Sequence, residues 1–146
     1  MRFDRWVFTA VLAVSALFTS GCAINRATAN VDPSANLSTI KTIHVVQAPE
    51  DGRKINDVIA TRLTQMGFVA STGLSKRNDV DANMTYVDRW MWDITMYMLE
   101  LTIVLRDPST DFALATGNSY HTSLTRQSPQ EMVQEVTSNM FKQVKK

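Results

Sequence analysis

The side chains that could perform acid–base chemistry are two aspartates that flank an arginine near the middle of the chain. They are Asp88 and Asp93, with Arg89 between them, and paired carboxylates can act as general acid and base when both reach one substrate. Residues five positions apart on a strand point to opposite faces, so these carboxylates could meet only across a bulge. Ion pairing with Arg89 is the simpler interpretation, and a hydrolase built on this pair remains a third hypothesis.

The other residues with possible chemistry carry weaker signals. His44 and His121 fall on different predicted strands, and neither has a second ligand at the spacing typical of metal sites. Serines are common, but none lies in a GxSxG elbow, and the five glycines form no phosphate-binding loop. The sequence therefore predicts structural roles for both histidines, and it predicts no enzyme activity, no cofactor and no metal.

The single cysteine stands at the end of an export signal. Two arginines lie within residues 1–5, and residues 6–18 are apolar except for Thr9 and Ser15. This run is shorter than the roughly 18 residues that span a bilayer, and small residues follow it, as expected before a cleavage site. The segment LFTSGC, which ends at Cys22, resembles the lipobox of bacterial lipoproteins, in which the cysteine is acylated and begins the mature chain.

Acylation of Cys22 would anchor the chain without a transmembrane helix. Lipoprotein cysteines usually carry three acyl chains, and each buried methylene contributes about 0.8 kcal/mol of membrane affinity. Ala23 follows the cysteine, whereas an aspartate at this position in enterobacterial lipoproteins favours retention in the inner membrane. The resemblance thus implies an outer-membrane protein that is lipid-anchored on the periplasmic face.

Size and charge set the domain organisation. Residues 1–21 are predicted to be the signal peptide, residues 22–38 a flexible tether rich in Ala, Asn and Ser, and residues 39–146 one periplasmic domain. Without the signal peptide the chain has equal numbers of basic and acidic side chains and no basic block, which argues against a nucleic-acid partner. The sequence does not determine the oligomeric state.

Hydrophobic periodicity predicts an α+β domain in which five strands and two helices follow the order β-α-β-β-β-β-α. The predicted strands are residues 40–47, 68–72, 84–93, 97–106 and 112–125, and the predicted helices are residues 53–66 and a segment that starts at Pro129. Ser128 and Glu131 form a capping-box pattern at that start. A βαβ unit should open a mixed sheet, and both helices should pack on one face of it. Gly117 is interpreted as a bulge or bend in a small-residue strand that suits a close neighbour.

The two longest strands should form a central hairpin with aromatic residues near its turn. The side chains of residues 84–93 should alternate between the two faces of the sheet, and Tyr97, Leu99 and Leu101 should share one face of the next strand. A helix over residues 92–101 is the competing prediction. The candidate recognition residues here are Tyr86, Arg89, Trp90, Trp92, Asp93 and Tyr97. Core packing is the plainer role for such aromatics, and an exposed platform with adaptable methionines nearby is the functional alternative.

The same segment carries a family resemblance. Residues 86–98, YVDRWMWDITMYM, with Asp107 and the later run ATGNSY at residues 115–120, resemble the Sbal_3080-like family of small bacterial lipoproteins. The resemblance covers most of the mature chain and implies a lipoprotein domain, but it implies no reaction.

The sequence favours two hypotheses about the function of this chain. The first is a non-catalytic outer-membrane lipoprotein that docks an envelope protein through the aromatic end of the hairpin or an open sheet edge. The second is a binding module for a lipid or another amphipathic small molecule, held between the sheet and a helix and contacted by Trp and Met side chains.

Overall fold

One mixed sheet of six strands, with two helices on one of its faces, makes up residues 24–142, which are the residues that this computed structural model describes. The strands are β1 (Asn25–Val31), β2 (Thr42–Val46), β3 (Val69–Gly73), β4 (Ala82–Asp93), β5 (Thr95–Arg106) and β6 (Ala113–His121), and the helices are α1 (Ile55–Gln65) and α2 (Pro129–Phe141). The α+β class and the single sheet are therefore confirmed.

The strand order across the sheet is β1-β6-β5-β4-β2-β3. Strand β2 pairs in parallel with β3 on one side and with β4 on the other, and the remaining pairs are antiparallel. The predicted βαβ unit β2-α1-β3 is thus present, and β4 to β6 follow as a meander. The competing helix over residues 92–101 is absent, because β5 occupies most of this segment.

The core lies between the two helices and the sheet. Helix α1 presents Ile55, Ile59 and Leu63 to it at helical spacing, and helix α2 presents Met132, Val133, Val136 and Met140; all seven side chains are buried. The predicted capping box starts α2, since the Ser128 Oγ accepts from the Glu131 amide and the Glu131 carboxylate accepts from the Ser128 amide.

The prediction of a flexible tether over residues 22–38 is wrong for much of that segment. Strand β1 pairs with β6 over seven residues, from Asn25 opposite His121 to Val31 opposite Ala115, and a short 3₁₀ turn follows at Leu37–Thr39. Ala29 and Val31 pack against the core, while the alternating polar residues Arg26, Thr28 and Asn30 are exposed. The small inward side chains give too weak a hydrophobic pattern to be recognised as a strand from sequence.

Candidate functional site

The central hairpin positions every candidate recognition residue. Strands β4 and β5 are antiparallel from Asn83 opposite Arg106 to Asp93 opposite Thr95, and Ile94 alone forms the turn, with φ of 60°. Arg89 faces Glu100 and Trp90 faces Met98, so Leu99 is an extra residue in β5. The alternation predicted for Tyr97, Leu99 and Leu101 is therefore wrong, because this bulge shifts the side-chain parity of β5 on the turn side of Leu99.

Tyr86 belongs to the core and holds the loop between β2 and α1. Its hydroxyl donates to the Asp51 carboxylate at 2.5 Å and accepts from the Ala48 amide at 3.1 Å. Burial, together with the hydrogen bond to Asp51, raises the pKa of Tyr86 above its ordinary value. Burial would raise the pKa of Asp51, but its hydrogen bonds from Tyr86 and the amides of Arg53 and Asn56 lower it overall. Tyr86 is thus a structural residue.

Trp90 is half-buried on the same side of the hairpin as the core. Its Nε1 donates to Asp88 Oδ2 at 2.6 Å, and the Arg53 guanidinium lies 4.1 Å from the centre of the Trp90 rings. Arg53 precedes α1, so Trp90 is the last side chain of β4 that the helical layer covers. The Trp90 indole therefore packs within the domain.

The predicted pairing of Arg89 with Asp88 and Asp93 is wrong. Arg89 Nη1 lies 2.8 Å from Glu100 Oε2 on the neighbouring strand, on the sheet face opposite the helices. Asp88 accepts from Trp90 instead, and β4 keeps its alternation because the extra residue is in β5. Asp88 and Asp93 therefore lie on opposite faces of β4, and the structure brings no acid–base pair together there.

Asp93 and Tyr97 contact the segment that follows β6. Asp93 accepts a hydrogen bond from the Ser123 hydroxyl and lies 3.7 Å from Arg126 Nη2. Arg126 also donates to Thr95 Oγ1 at 2.8 Å, and its guanidinium lies 4.7 Å from the centre of the Tyr97 ring. Tyr97 is consequently buried, and Asp93 is paired.

Exposed apolar side chains surround the turn of the hairpin. Trp92 is 68% exposed, Ile94 86% and Met96 47%, so Trp92, not Trp90, is the accessible indole. Two more exposed apolar residues lie at this end of the sheet, Ile24 before β1 and Leu124 after β6, and Met91 is partly exposed beside the turn. We call Ile24, Met91, Trp92, Ile94, Met96 and Leu124 the apolar end.

The beginning of β1 lies at the apolar end because of the sheet register. The Ile24 carbonyl accepts from the Thr122 amide at 3.2 Å and from Thr125 Oγ1 at 2.9 Å, and the Ile24 amide donates to Thr122 Oγ1 at 3.3 Å. The same short segment reaches the hairpin through Ser123 and Arg126. Cys22 and Ala23 lie outside the described residues, but Cys22 precedes Ile24 by only two positions. The sequence analysis did not identify Ile24, Ile94 or Leu124. The one available signal was the isoleucine at position 94, because a hairpin turn favours Gly or Asn there.

The histidines have local partners. His44 Nδ1 lies 2.8 Å from Ser71 Oγ and Nε2 lies 3.1 Å from the Ser75 carbonyl, and burial lowers the pKa of His44. His121 Nε2 and Ser119 Oγ both contact Glu135 Oε2, at 2.9 and 2.6 Å. The serine donates to the carboxylate and not to the imidazole, so this trio is not a nucleophilic triad. Within residues 24–142, no three His, Cys, Asp or Glu side chains are grouped closely enough to hold a metal ion.

A cavity of about 540 Å³ opens between the ends of α1 and α2 and the 3₁₀ turn before β2. Apolar walls come from Leu37, Ile40, Met66, Phe68 and Phe141, and polar or charged groups come from Ser38, Arg62, Gln65, Ser138 and Lys142. None of the tryptophans or candidate recognition residues lines it. Neither described helix is long and apolar enough to cross a membrane.

Comparisons with known proteins bear on the fold. No family model matches the chain, and neither does any curated protein. Two crystal forms of PelC from Paraburkholderia phytofirmans, both dodecamers, align with 80% of this chain and with 96% and 98% of their own, at 14% and 13% identity and a TM-score of 0.59. A PDZ domain protein from Parabacteroides distasonis aligns with 92% of this chain over 40% of its own length, at 12% identity and a TM-score of 0.50. At these identities the likeness is one of fold.

Proposed function

We propose that this chain is a non-catalytic lipoprotein, anchored through an acylated Cys22 at the periplasmic face of the outer membrane, that serves as an interaction subunit of a cell-envelope assembly. The observation that carries the proposal is the position of the apolar end. The exposed apolar side chains of the hairpin lie at the end of the sheet where the chain leads back to Cys22. A lipid anchor and an exposed apolar surface at the same end of the domain suit a protein that works at a membrane.

The subunit role has separate support. Within residues 24–142, strands β1 and β3 are the two edges of the sheet, and each has backbone groups that no described strand pairs on one side. PelC, which has a similar fold, is a dodecamer. A chain that assembles through such edges needs no catalytic residues, and the separation of Asp88 from Asp93 is consistent with that role.

The anchoring proposal is tested with Cys22→Ala in the native cell. The parent protein should fractionate with the outer membrane and carry labelled palmitate, whereas the variant should lose the label and leave the outer-membrane fraction. A parent protein without the label, or a variant that stays in that fraction to the same extent, contradicts it.

The assembly proposal is tested by native mass spectrometry of the lipidated protein extracted in mild detergent. A defined oligomer or a stoichiometric complex with an envelope protein is expected. A monomer at every concentration, without any copurifying protein, contradicts the subunit role.

The cavity beside Phe141 supports a second candidate, the binding of an amphipathic small molecule. Its volume of about 540 Å³ is within the range of ligand pockets, and it joins apolar walls with Arg62 and Lys142. Native mass spectra of protein extracted without added lipid should then contain a bound small molecule. Phe68→Ala should reduce its amount, and Phe112→Ala, at an exposed residue that does not line the cavity, should not.

A further inference from the structure

The apolar end has a composition that separates it from the rest of the surface. Between Met91 and Met96 the only charged residue is Asp93, and its carboxylate is satisfied by Ser123 and Arg126. The opposite end of the sheet has the β5–β6 turn, which contains Asp107, Ser109, Thr110 and Asp111. Polar groups of the β5–β6 turn thus lie at the end of the sheet opposite the apolar end, and Lys76 pairs with Asp111 there.

The turn residue itself is unusual. Ile94 is 86% exposed and has φ of 60°, a left-handed conformation that favours Gly or Asn and that strains a β-branched side chain. Neither core packing nor turn geometry explains an isoleucine at this position. Residues with strained backbone conformations cluster at functional sites. The exposed apolar side chain of Ile94 is therefore the feature that a function would require at this turn.

The reach of the anchor decides which surface meets the bilayer. The register β1–β6–β5 aligns Arg26, Tyr120 and Glu100. Because Leu99 is an extra residue in β5, two further positions along the ladder place Ile24 about level with Tyr97. From Tyr97 to Ile94 are three residues, so the turn extends about 10 Å beyond Ile24 along the strand. Cys22 can lie at most about 7 Å from Ile24, because two residues span no more than this.

We propose that the apolar end is a lipid-facing surface, which inserts Trp92, Ile94 and Met96 into the interfacial layer of the membrane that holds Cys22. The inference rests on the proposed anchoring. With the acylated cysteine at the headgroup level, the turn would extend at least about 3 Å further along the strand direction. This is towards the layer, about 5–10 Å deep, in which interfacial apolar segments lie. Trp92 suits this layer, since an indole combines an apolar body with one polar N–H group.

This arrangement also fixes the orientation of the domain. The strands would stand steeply on the membrane, the acidic turn at residues 107–111 would point away from it, and the edges β1 and β3 would remain free for protein partners. Arg126 beside the turn would lie at the level of the phosphate groups.

The test uses the purified lipidated protein in vesicles of phosphatidylethanolamine and phosphatidylglycerol that contain a phosphatidylcholine brominated at carbons 6 and 7. The mature chain has two tryptophans, so Trp90→Phe reports Trp92 alone and Trp92→Phe reports Trp90 alone. Bromine should quench Trp92 fluorescence at least about twofold, because its ring would lie near the acyl boundary. Trp90, covered by Arg53, should be little affected.

A third variant provides the control for orientation. Phe112 is 53% exposed and follows the acidic turn, so Phe112→Trp in a chain with both Trp90→Phe and Trp92→Phe places one indole at the far end. That indole should not be quenched. If Trp90→Phe fails to fold, the signal of Trp92 is obtained as the difference between the parent protein and Trp92→Phe.

The outcomes separate this inference from the anchoring proposal. Protein that floats with the vesicles but shows no quenching of Trp92 overturns the lipid-facing surface and leaves the anchor intact. Equal quenching at positions 92 and 112 also overturns it, because the domain would then have no fixed orientation. Protein that does not float and has an unmodified Cys22 contradicts the anchoring proposal itself.

Discussion

Adding one methyl group to Gly117 should destabilise the domain, because helix α2 lies directly against this residue of β6. A Cβ atom at Gly117 would be 2.6 Å from Val136 Cγ1 and 2.8 Å and 2.9 Å from Met140 Cγ and Sδ. Both side chains are fully buried in the core. Ordinary contacts would require these atoms to move by about half an ångström or more, in a core that packs like an organic crystal.

The expected magnitude follows from two opposing effects. Overpacking of this kind costs about 1–3 kcal/mol, while replacing glycine with alanine restricts the unfolded chain and restores about 0.4–1 kcal/mol. Gly117→Ala should therefore lower the free energy of unfolding by about 1–2 kcal/mol, as measured by urea denaturation of the mature chain followed by circular dichroism.

Two further variants make this expectation refutable. Gly52→Ala is the matched control, since its Cβ would meet nothing within 4 Å. Its unfolding free energy should equal the parent value or exceed it by up to about 1 kcal/mol, because only the effect on the unfolded chain remains. The cost of Gly117→Ala should also shrink in a Val136→Ala background, because one of the clashing groups is then absent. A Gly117→Ala protein as stable as the parent would refute the close approach of α2 to β6.

Three other changes test the hairpin and its turns. Tyr86→Phe removes the donor to Asp51 and the acceptor of the Ala48 amide, and it should cost about 1–3 kcal/mol in urea denaturation; no loss would mean that this network is dispensable. Trp90→Ala should destabilise the domain by about 2 kcal/mol more than Trp92→Ala, because more indole surface is buried at position 90; equal losses would contradict the assignment of Trp90 to the core. The hydroxyl of Ser109, with the amide and hydroxyl of Thr110, lowers the pKa of Asp107 to about 2. Since this folded-state pKa is below the unfolded value of about 3.9, the stabilisation by Asp107 should be present above pH 4 and lost as the pH falls towards 2. Asp107→Asn should flatten this part of the stability–pH curve, and an unchanged curve would show that the turn does not hold the carboxylate.

Local signals in the sequence were sufficient for much of the fold. The start of α2 is correct because Ser128 and Glu131 satisfy each other within one helical turn. The interpretation of Gly117 as a bulge or bend is wrong, because Gly117 pairs in register with Ile103 and with Ala29. The extra residues lie at Leu99 in β5 and at Leu114 in β6. The small side chains around Gly117 instead admit α2, as the suggestion of a close neighbour anticipated.

The candidate site depended on pairings that no local pattern contains. Arg89 pairs with Glu100 because of the hairpin register, and Tyr97 changes face because Leu99 is inserted into β5. Trp90 and Trp92 share a strand face, yet only Trp90 lies under the helical layer near Arg53. The extent of that layer decides which indole is exposed, and it is a property of the tertiary structure.

The anchor through Cys22 is tested most directly by the mass of the N-terminal peptide from protein purified out of native membranes. We expect a peptide that begins at Cys22 and carries three acyl chains. A peptide that still contains residues 1–21, or a mature peptide with an unmodified cysteine, would contradict the proposed lipoprotein and remove the basis for a lipid-facing apolar end.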